Sequence, residues 1–360
     1  MAREYPYADR LLEFYRASGR VLPWRGDKDP YHIWISEIML QQTGVTSVCR
    51  YYERFLERFP TVARLAQADL QEVLGAWQGM GYYRRAQHLH RAAVIIQDGL
   101  KGQWPETLEG WLALPGIGRS TAGAIMAICW NRRHPILDGN CKRVLSRIMA
   151  LNEPVNSSQA TRMLWHWADL LTPPEQPGDY AQAIMDLGAV VCTLRDPKCN
   201  ICPWQGGCRA FAESRVGEYP NRMKAKVRPR YGQQAILVQE STGAVLMRRR
   251  PEGGLLGGMW EPLSTPRQTP PQPPSDVVEM QDQLERHWQV HGCDMKRLGR
   301  VQHAFTHFHL TVWVYSCRYV SGWPQGAGEE ICWWDAGHSD MPVSTLHAKV
   351  LAMAGQEVIN

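Results

Sequence analysis

Glu37 sits where a carboxylate is least expected. It falls inside YHIWISEIMLQQT, surrounded by Ile33, Trp34, Ile35, Ile38, Met39 and Leu40. At 3.6 residues per turn it shares a face with Ile33, Trp34, Leu40 and Gln41. An apolar setting disfavours the charged form and raises the pKa. Asp138 is the opposite case: in PILDGNCKRVLSR it follows Pro135 and precedes a helix beginning near Asn140. There it can cap the helix, and the helix N–H groups and positive dipole end keep a carboxylate ionised. Taken singly, Asp138 reads as a cap and Glu37 as half of a buried ion pair. Together, one carboxyl kept neutral and one kept charged meet the needs of glycoside-bond cleavage: a proton for the leaving group and an anion facing a cationic sugar.

Four thiols form the second constellation. Cys192, Cys199, Cys202 and Cys208 stand in CTLRDPKCNICPWQGGC, spaced C-x6-C-x2-C-x5-C over 17 residues. A loop this short, broken by Pro and Gly, can wrap one metal centre. The spacing fits a four-cysteine zinc site and a [4Fe-4S] cluster equally, since both take four soft thiolates in tetrahedral array. Arg195, Lys198 and Arg209 lie among the ligands, where they either offset thiolate charge or offer a positive loop to a phosphate. The other six cysteines (Cys49, Cys129, Cys141, Cys293, Cys317, Cys332) are scattered and read as packing residues.

A third signal is LPGIGRSTAGAI, where Pro115, Gly116 and Gly118 turn the chain between two helical patterns. Such a turn leaves N–H groups free at the next helix start, which suits a phosphate oxygen.

The elements that carry these residues divide the chain. Its 360 residues allow about two domains, and 44% hydrophobic residues with 9% aromatics supply packed cores. A net charge of +5 permits a polyanionic partner without requiring one. The start, MAREYPYADRLLEFYR, lacks a signal-peptide core, and no run has the ~18 apolar residues of a membrane span. Ten cysteines without an export signal point to a reducing compartment. The expectation is a soluble cytoplasmic protein, nucleoid-associated if its partner is DNA.

To about residue 213 the apolar spacing is helical, in LLEFYRASGR, SVCRYYERFLERF, LQEVLGAWQGM, RAQHLHRAAVIIQDG, STAGAIMAICW and CKRVLSRIMAL, with no convincing strand. NRMKAKVRPRY follows, carrying Arg222, Lys224, Lys226, Arg228 and Arg230 and no acid. It is a solvated basic linker, or a segment that tracks a phosphate backbone. After it, QQAILVQ, AVLMRRR, RVQHAF, HLTVWVYSC and EICWW read as strands. DVVEMQDQLERHWQVHG and STLHAKVLAMAG read as helices, and the six prolines from Pro262 to Pro274 as an extended surface loop.

The hairpin LPGIGRSTAGAI, then Pro135 and Asp138, then the four cysteines, resembles the helix-hairpin-helix, Gly-Pro-Asp superfamily of DNA glycosylases. Within it, WISEIMLQQT, GMGYYRRA and HAFTHFHL resemble the adenine DNA glycosylase (MutY) family along essentially the whole chain. The resemblance implies a multidomain fold: an all-α glycosylase body, 1–213, followed by an α+β Nudix-like domain, 232–360, with 214–231 as linker. Within the body, 22–134 would form a six-helix barrel, and 1–21 with 135–213 a lobe around one structural, DNA-positioning [4Fe-4S] cluster held by the four cysteines.

It also implies a partner and a reaction. A monomer would act on duplex DNA holding adenine opposite 8-oxoguanine or guanine, flipping the adenine out of the stack and excising it. By the same resemblance Glu37 protonates adenine N7 and later handles the water, Asp138 stabilises or transiently bonds the deoxyribose C1′, and Asn140 orients the site. Ser120 occupies the place where lyase relatives such as endonuclease III carry a lysine, so the resemblance implies a monofunctional glycosylase. Arg25 and Gln182 match positions lining the adenine pocket. Gln42, Thr43, Met80 and Tyr82 match residues that wedge the vacated stack, and Gly116 and Gly118 the phosphate-binding hairpin. Phe305, Thr306 and His307 match a loop that recognises 8-oxoguanine, with Thr306 where the family usually shows serine. The magnesium-binding acidic signature of active Nudix enzymes is missing after GGLLGGMWEPL, which argues against nucleotide hydrolysis. The alternatives are a glycosylase/lyase acting on oxidised pyrimidines and an iron–sulfur DNA-binding sensor without chemistry.

Overall fold

The computed structural model describes residues 6–223, 227–324, 330–335 and 341–355. Two residues of the basic segment, Lys224 and Lys226, fall outside that range. The chain separates into two compact units, Met1–Ala66 with Arg91–Ala225, and Gln67–His90 with Lys226–Asn360.

The helices are, in order, α1 Pro6–Ser18, α2 Pro30–Leu40, α3 Val45–Arg58, α4 Val62–Gln67, α5 Leu70–Ala76, α6 Arg84–Val94, α7 Leu108–Leu112, α8 Arg119–Trp130, α9 Gly139–Ile148, α10 Ser158–Leu171, α11 Pro177–Asp186 and α12 Arg209–Ala212. Among the described residues before 224 there is no strand, as the apolar spacing predicts. Start signals are local. Pro30 opens α2 behind the Asp29 cap, Asp138 caps α9 and Ser157 caps α10.

In the first unit, α2 is apolar nearly all round because it lies in the core: Tyr31, Ile33, Trp34, Ile35, Ile38 and Met39 are buried. It packs on α8, whose residues 121–128 are all buried, and α8 packs in turn on α11. The helix pair α8 and α11 approaches closely at Gly178, where an added Cβ would come within 2.6 Å of the Ala127 carbonyl. After Asp186 the helix widens into a π turn, Leu187–Val191, which delivers the chain to Cys192.

In the second unit, strands β1 Arg230–Gln239, β2 Val245–Arg249, β3 Trp260–Ser264, β4 Val290–Ala304, β5 His309–Gly322 and β6 Ile331–Trp334 form one sheet ordered β4-β5-β1-β3-β2-β6. β1 runs parallel to β5, and the other pairs are antiparallel. Helix α13, Val277–Trp288, covers one face with Met280, Leu284 and Trp288, and α14, Thr345–Ala352, covers the other with Leu346, Val350 and Leu351. Both strand faces are therefore buried, which explains runs such as AILV with little alternation.

Three sequence expectations for this unit need correction. Trp260–Ser264 is an interior strand that the sequence reading passed over, and Pro262, assigned to the surface loop, lies within it opposite Met247. The expected helix through Gly292 ends at Trp288, and Val290 already begins a long strand with three register shifts. Within this unit the 67–90 segment docks through side-chain amides. Gln71 donates to the Gly258 carbonyl and accepts from the Trp260 indole, while Gln87 donates to the Gly257 carbonyl.

Candidate active site

The first unit encloses a cavity of about 400 Å³ lined by Arg25, Glu37, Thr43, Asp138, Asn140 and Gln182, together with Arg20, Trp24, Ile33 and Leu40. Its size falls in the roughly 300–1,000 Å³ range of small-ligand pockets. Six residues singled out in the sequence, from four separate stretches, thus meet at one opening. Had Glu37 and Asp138 opened onto different cavities, the acid and anion pairing would have failed.

Glu37 reaches the cavity from the last turn of α2. Burial first, and the nearby Asp138 carboxylate second, raise its pKa to about 7 against the opposing pull of the Arg25 guanidinium. A carboxyl poised there is half protonated near neutrality, the condition under which an acid gives and later takes a proton efficiently. Asp138 enters as the cap of α9, its Oδ1 accepting the Cys141 N–H at 2.7 Å. The strand-like approach to it is fixed at Leu137, whose N–H donates to Ser120 Oγ at 3.0 Å. Ser120 does not line the cavity; what the structure gives it is this hold on the segment carrying Asp138.

Asn140 is oriented from behind. Its Oδ1 accepts from Arg143 Nη2 at 2.8 Å, and Arg143 also donates to the carbonyls of Gly188 (2.7 Å) and Cys192 (2.8 Å). Gly188 is required for this contact, since an added Cβ would stand 2.6 Å from the Asn140 Cβ.

Arg143, Arg20 and Asp186 are functional neighbours that the sequence reading missed. For Asp186 the signal existed: AQAIMDLGAVV drives a carboxylate into an apolar run just as IWISEIML does.

The remaining expected residues occupy other places. Gln42 is exposed with φ of 60°, beside Gln41, whose amide donates to the Gly116 carbonyl and Thr121 Oγ1, both at 3.3 Å. Gly116 turns the hairpin with φ of 79°, and Gly118 caps α8. In the second unit, Tyr82 is 45% exposed whereas Met80 is only 6% exposed, so of the expected wedge pair Tyr82 alone projects. Phe305, Thr306 and His307 form the tip of the hairpin joining β4 to β5, with the Phe305 N–H donating to the Phe308 carbonyl. The Phe305 ring stacks on Phe308 at 4.6 Å, Thr306 and His307 are exposed, and Thr306 Oγ1 stands 3.4 Å from the Tyr82 hydroxyl.

Cys192, Cys199, Cys202 and Cys208 line a second cavity together, walled by Val144, Ile148, Leu187 and Trp204. All four thiols are free. Arg147, 1% exposed, donates to Cys192 Sγ at 3.3 Å and to the carbonyls of Thr193, Leu194, Val216 and Tyr219. Among the described residues no three His, Cys, Asp or Glu side chains are grouped to hold a single metal ion. Four thiols around one cavity fit a soft-metal centre. Replacing Arg147 by Met should strand several buried carbonyls and lower stability by at least about 3 kcal/mol, read from urea unfolding at fixed pH.

Residues 35–169 match the family model described as HhH-GPD superfamily base excision DNA repair protein, and residues 234–353 match the NUDIX domain model. A solved thermostable thymine-DNA glycosylase superposes with a TM-score of 0.53 at 27% identity, covering 57% of this chain and 95% of that one. The two matches thus divide the chain into a body of the HhH-GPD base-excision repair class and an appended Nudix-like module. The adenine DNA glycosylase of Rattus norvegicus is 36% identical over 85% of this chain and 69% of its own. That of Mus musculus is 34% identical over 96% of this chain and 77% of its own. That of Buchnera aphidicola (subsp. Schizaphis graminum) is 40% identical, the match spanning 62% of this chain and 65%, just under two thirds, of the relative. The chain belongs to the adenine DNA glycosylase family.

Proposed function

We propose that this protein removes adenine mispaired with 8-oxoguanine or guanine in duplex DNA, by acid-assisted hydrolysis of the N-glycosidic bond. The observation that carries the reading is the shared cavity of Glu37 and Asp138, with the Glu37 carboxyl poised at about 7. An adenine paired in the stack is out of reach, so it must be extruded into the cavity, with Gln42, Thr43 and Tyr82 filling or propping the gap. Arg25, Asn140 and Gln182 then hold the base and sugar.

Neutral Glu37 gives its proton to N7, and the electrons of the C1′–N9 bond leave with the base. The cationic C1′ is held against the ionised Asp138, and water adds to C1′ as Glu37 carboxylate takes back a proton. Adenine and an abasic sugar result. The exposed Phe305–Thr306–His307 turn supplies the surface for reading 8-oxoguanine, Thr306 through its hydroxyl.

The four cysteines that line one cavity suit a [4Fe-4S] cluster, the centre that the family resemblance implies. When bound it supplies a rigid, charged tie for the 192–208 loop. Cys192, Cys199, Cys202 and Cys208 would hold it through four thiolates, and Arg147, which donates to Cys192 Sγ, would offset their charge. Purified protein should be yellow-brown with a broad visible thiolate-to-iron absorption; a colourless zinc protein would refute this part.

Incubating the protein with a duplex carrying one adenine opposite 8-oxoguanine, then with alkali, should cut the adenine strand at that position. An intact strand would sink the proposal. Because Ser120 offers no amine, borohydride should trap almost no covalent DNA adduct. Trapping at high yield would favour the lyase alternative.

A further inference from the structure

We propose that Asp186 is a positioning residue for this reaction: its carboxylate locks Arg20 and Arg25 into the cavity wall and so sets how much positive charge faces Glu37. The inference rests on the glycosylase reading above. Asp186 ends α11, one helical turn after Gln182, and its side chain is only 2% exposed. Its Oδ1 accepts from Arg20 Nε (2.9 Å), Arg20 Nη2 (2.6 Å) and Arg25 Nη2 (2.8 Å), and its Oδ2 accepts the Arg20 backbone N–H (3.0 Å). Arg25 is fixed on its other side by Tyr15, whose hydroxyl accepts from Nη1 at 2.9 Å and whose ring lies 5.6 Å below the guanidinium. One donor of that head, Nε, is buried without a hydrogen-bond partner. A buried cationic donor left unmatched is costly, so a head clamped in this state is held ready for an acceptor that arrives with the base.

The arrangement does more than brace the fold, because two cations share one anion and the group keeps one net positive charge. That charge opposes burial and Asp138 in setting how readily Glu37 loses its proton. The other titratable neighbours do not change charge near neutrality. Cys129, on α8, is pushed by burial up to about 12, and burial also raises the Tyr15 phenol. Neutralising Asp186 therefore leaves a second positive charge uncompensated and makes Glu37 a stronger acid. Removing the Arg20 charge instead leaves Asp186 and Arg25 balanced and makes Glu37 a weaker one.

The test is single-turnover excision by the full chain on the adenine:8-oxoguanine duplex, followed from about pH 5 to 9. Asp186→Asn should slow the maximal rate about 10- to 100-fold and move the alkaline limb of the profile down by about half a pH unit. Asp186→Glu should restore most of both. Arg20→Gln, at a side chain 23% exposed, should move that limb upward, and it decides the matter if Asp186→Asn does not fold. A purely structural role predicts slower or less stable protein with the limb unmoved. Wild-type activity together with unmoved limbs in the folded variants overturns the assignment of Asp186 alone. Absence of wild-type excision would instead overturn the glycosylase reading on which it stands.

Discussion

Replacing Glu37 by Gln should leave binding of the mismatched duplex intact and lower single-turnover excision by at least about 1,000-fold. The amide keeps the shape of the side chain but lacks the acidic proton that the proposed reaction needs. Wild-type excision should fall as pH rises through about 7, where the carboxyl ionises. Stability should move oppositely in the variant. The folded-state pKa lies above the ordinary 4.5, so the protonated group's contribution is complete below that pH and is lost as pH climbs past 7. Above pH 8 Glu37→Gln should therefore be more stable than wild type, by up to roughly 3 kcal/mol at about 1.4 kcal/mol per pH unit, in urea titrations at two pH values. Equal excision rates would remove Glu37 from the acid role, and a less stable variant at high pH would contradict the burial that raises its pKa.

Asp138→Asn should cost about 100- to 1,000-fold in excision with stability changed by less than about 1 kcal/mol. The side-chain oxygen of asparagine still accepts the Cys141 N–H, so the cap of α9 survives while the negative charge in the cavity disappears. The same variant should draw the alkaline limb downward, because Asp138 is one of the groups raising Glu37. Asp138→Ala loses charge and cap together and should fall in both measurements. An Asn variant as unstable as the Ala variant, with normal excision, would return Asp138 to a capping role only.

The candidate site was legible in the sequence wherever a residue conflicted with its immediate surroundings. Glu37 in an apolar run and Asp138 ahead of a helix both carry local signals, and each stands where that signal puts it. Arg20 and Arg143 carry none. Their partners lie 166 residues away in one case and 45 or more for two contacts in the other, so only folding reveals them.

Strand β3 was hidden for a related reason. Glu261 and Pro262 within five residues read against a buried strand, yet Glu261 is 1% exposed. Burial works to raise its carboxyl, and His347 at 3.3 Å, Arg250 at 2.6 Å and Arg248 at 3.0 Å together hold it below the ordinary range. Burial in turn pushes the His347 imidazole down to about 4. A charge network assembled from three elements leaves no trace in any short window of residues. The long strand β4 was cut short in the sequence reading because HGCDMKRLG does not alternate, and its bulges between residues 291 and 299 are the structural counterpart of that irregularity.

At residue 188 the missing side chain sets where Asn140, a residue of the cavity wall, can stand. Even a methyl group there would push on Asn140, at the start of the helix that Asp138 caps. A substitution at residue 188 would thus disturb the cavity from behind its lining, and a screen of tolerated variants should recover almost nothing but glycine.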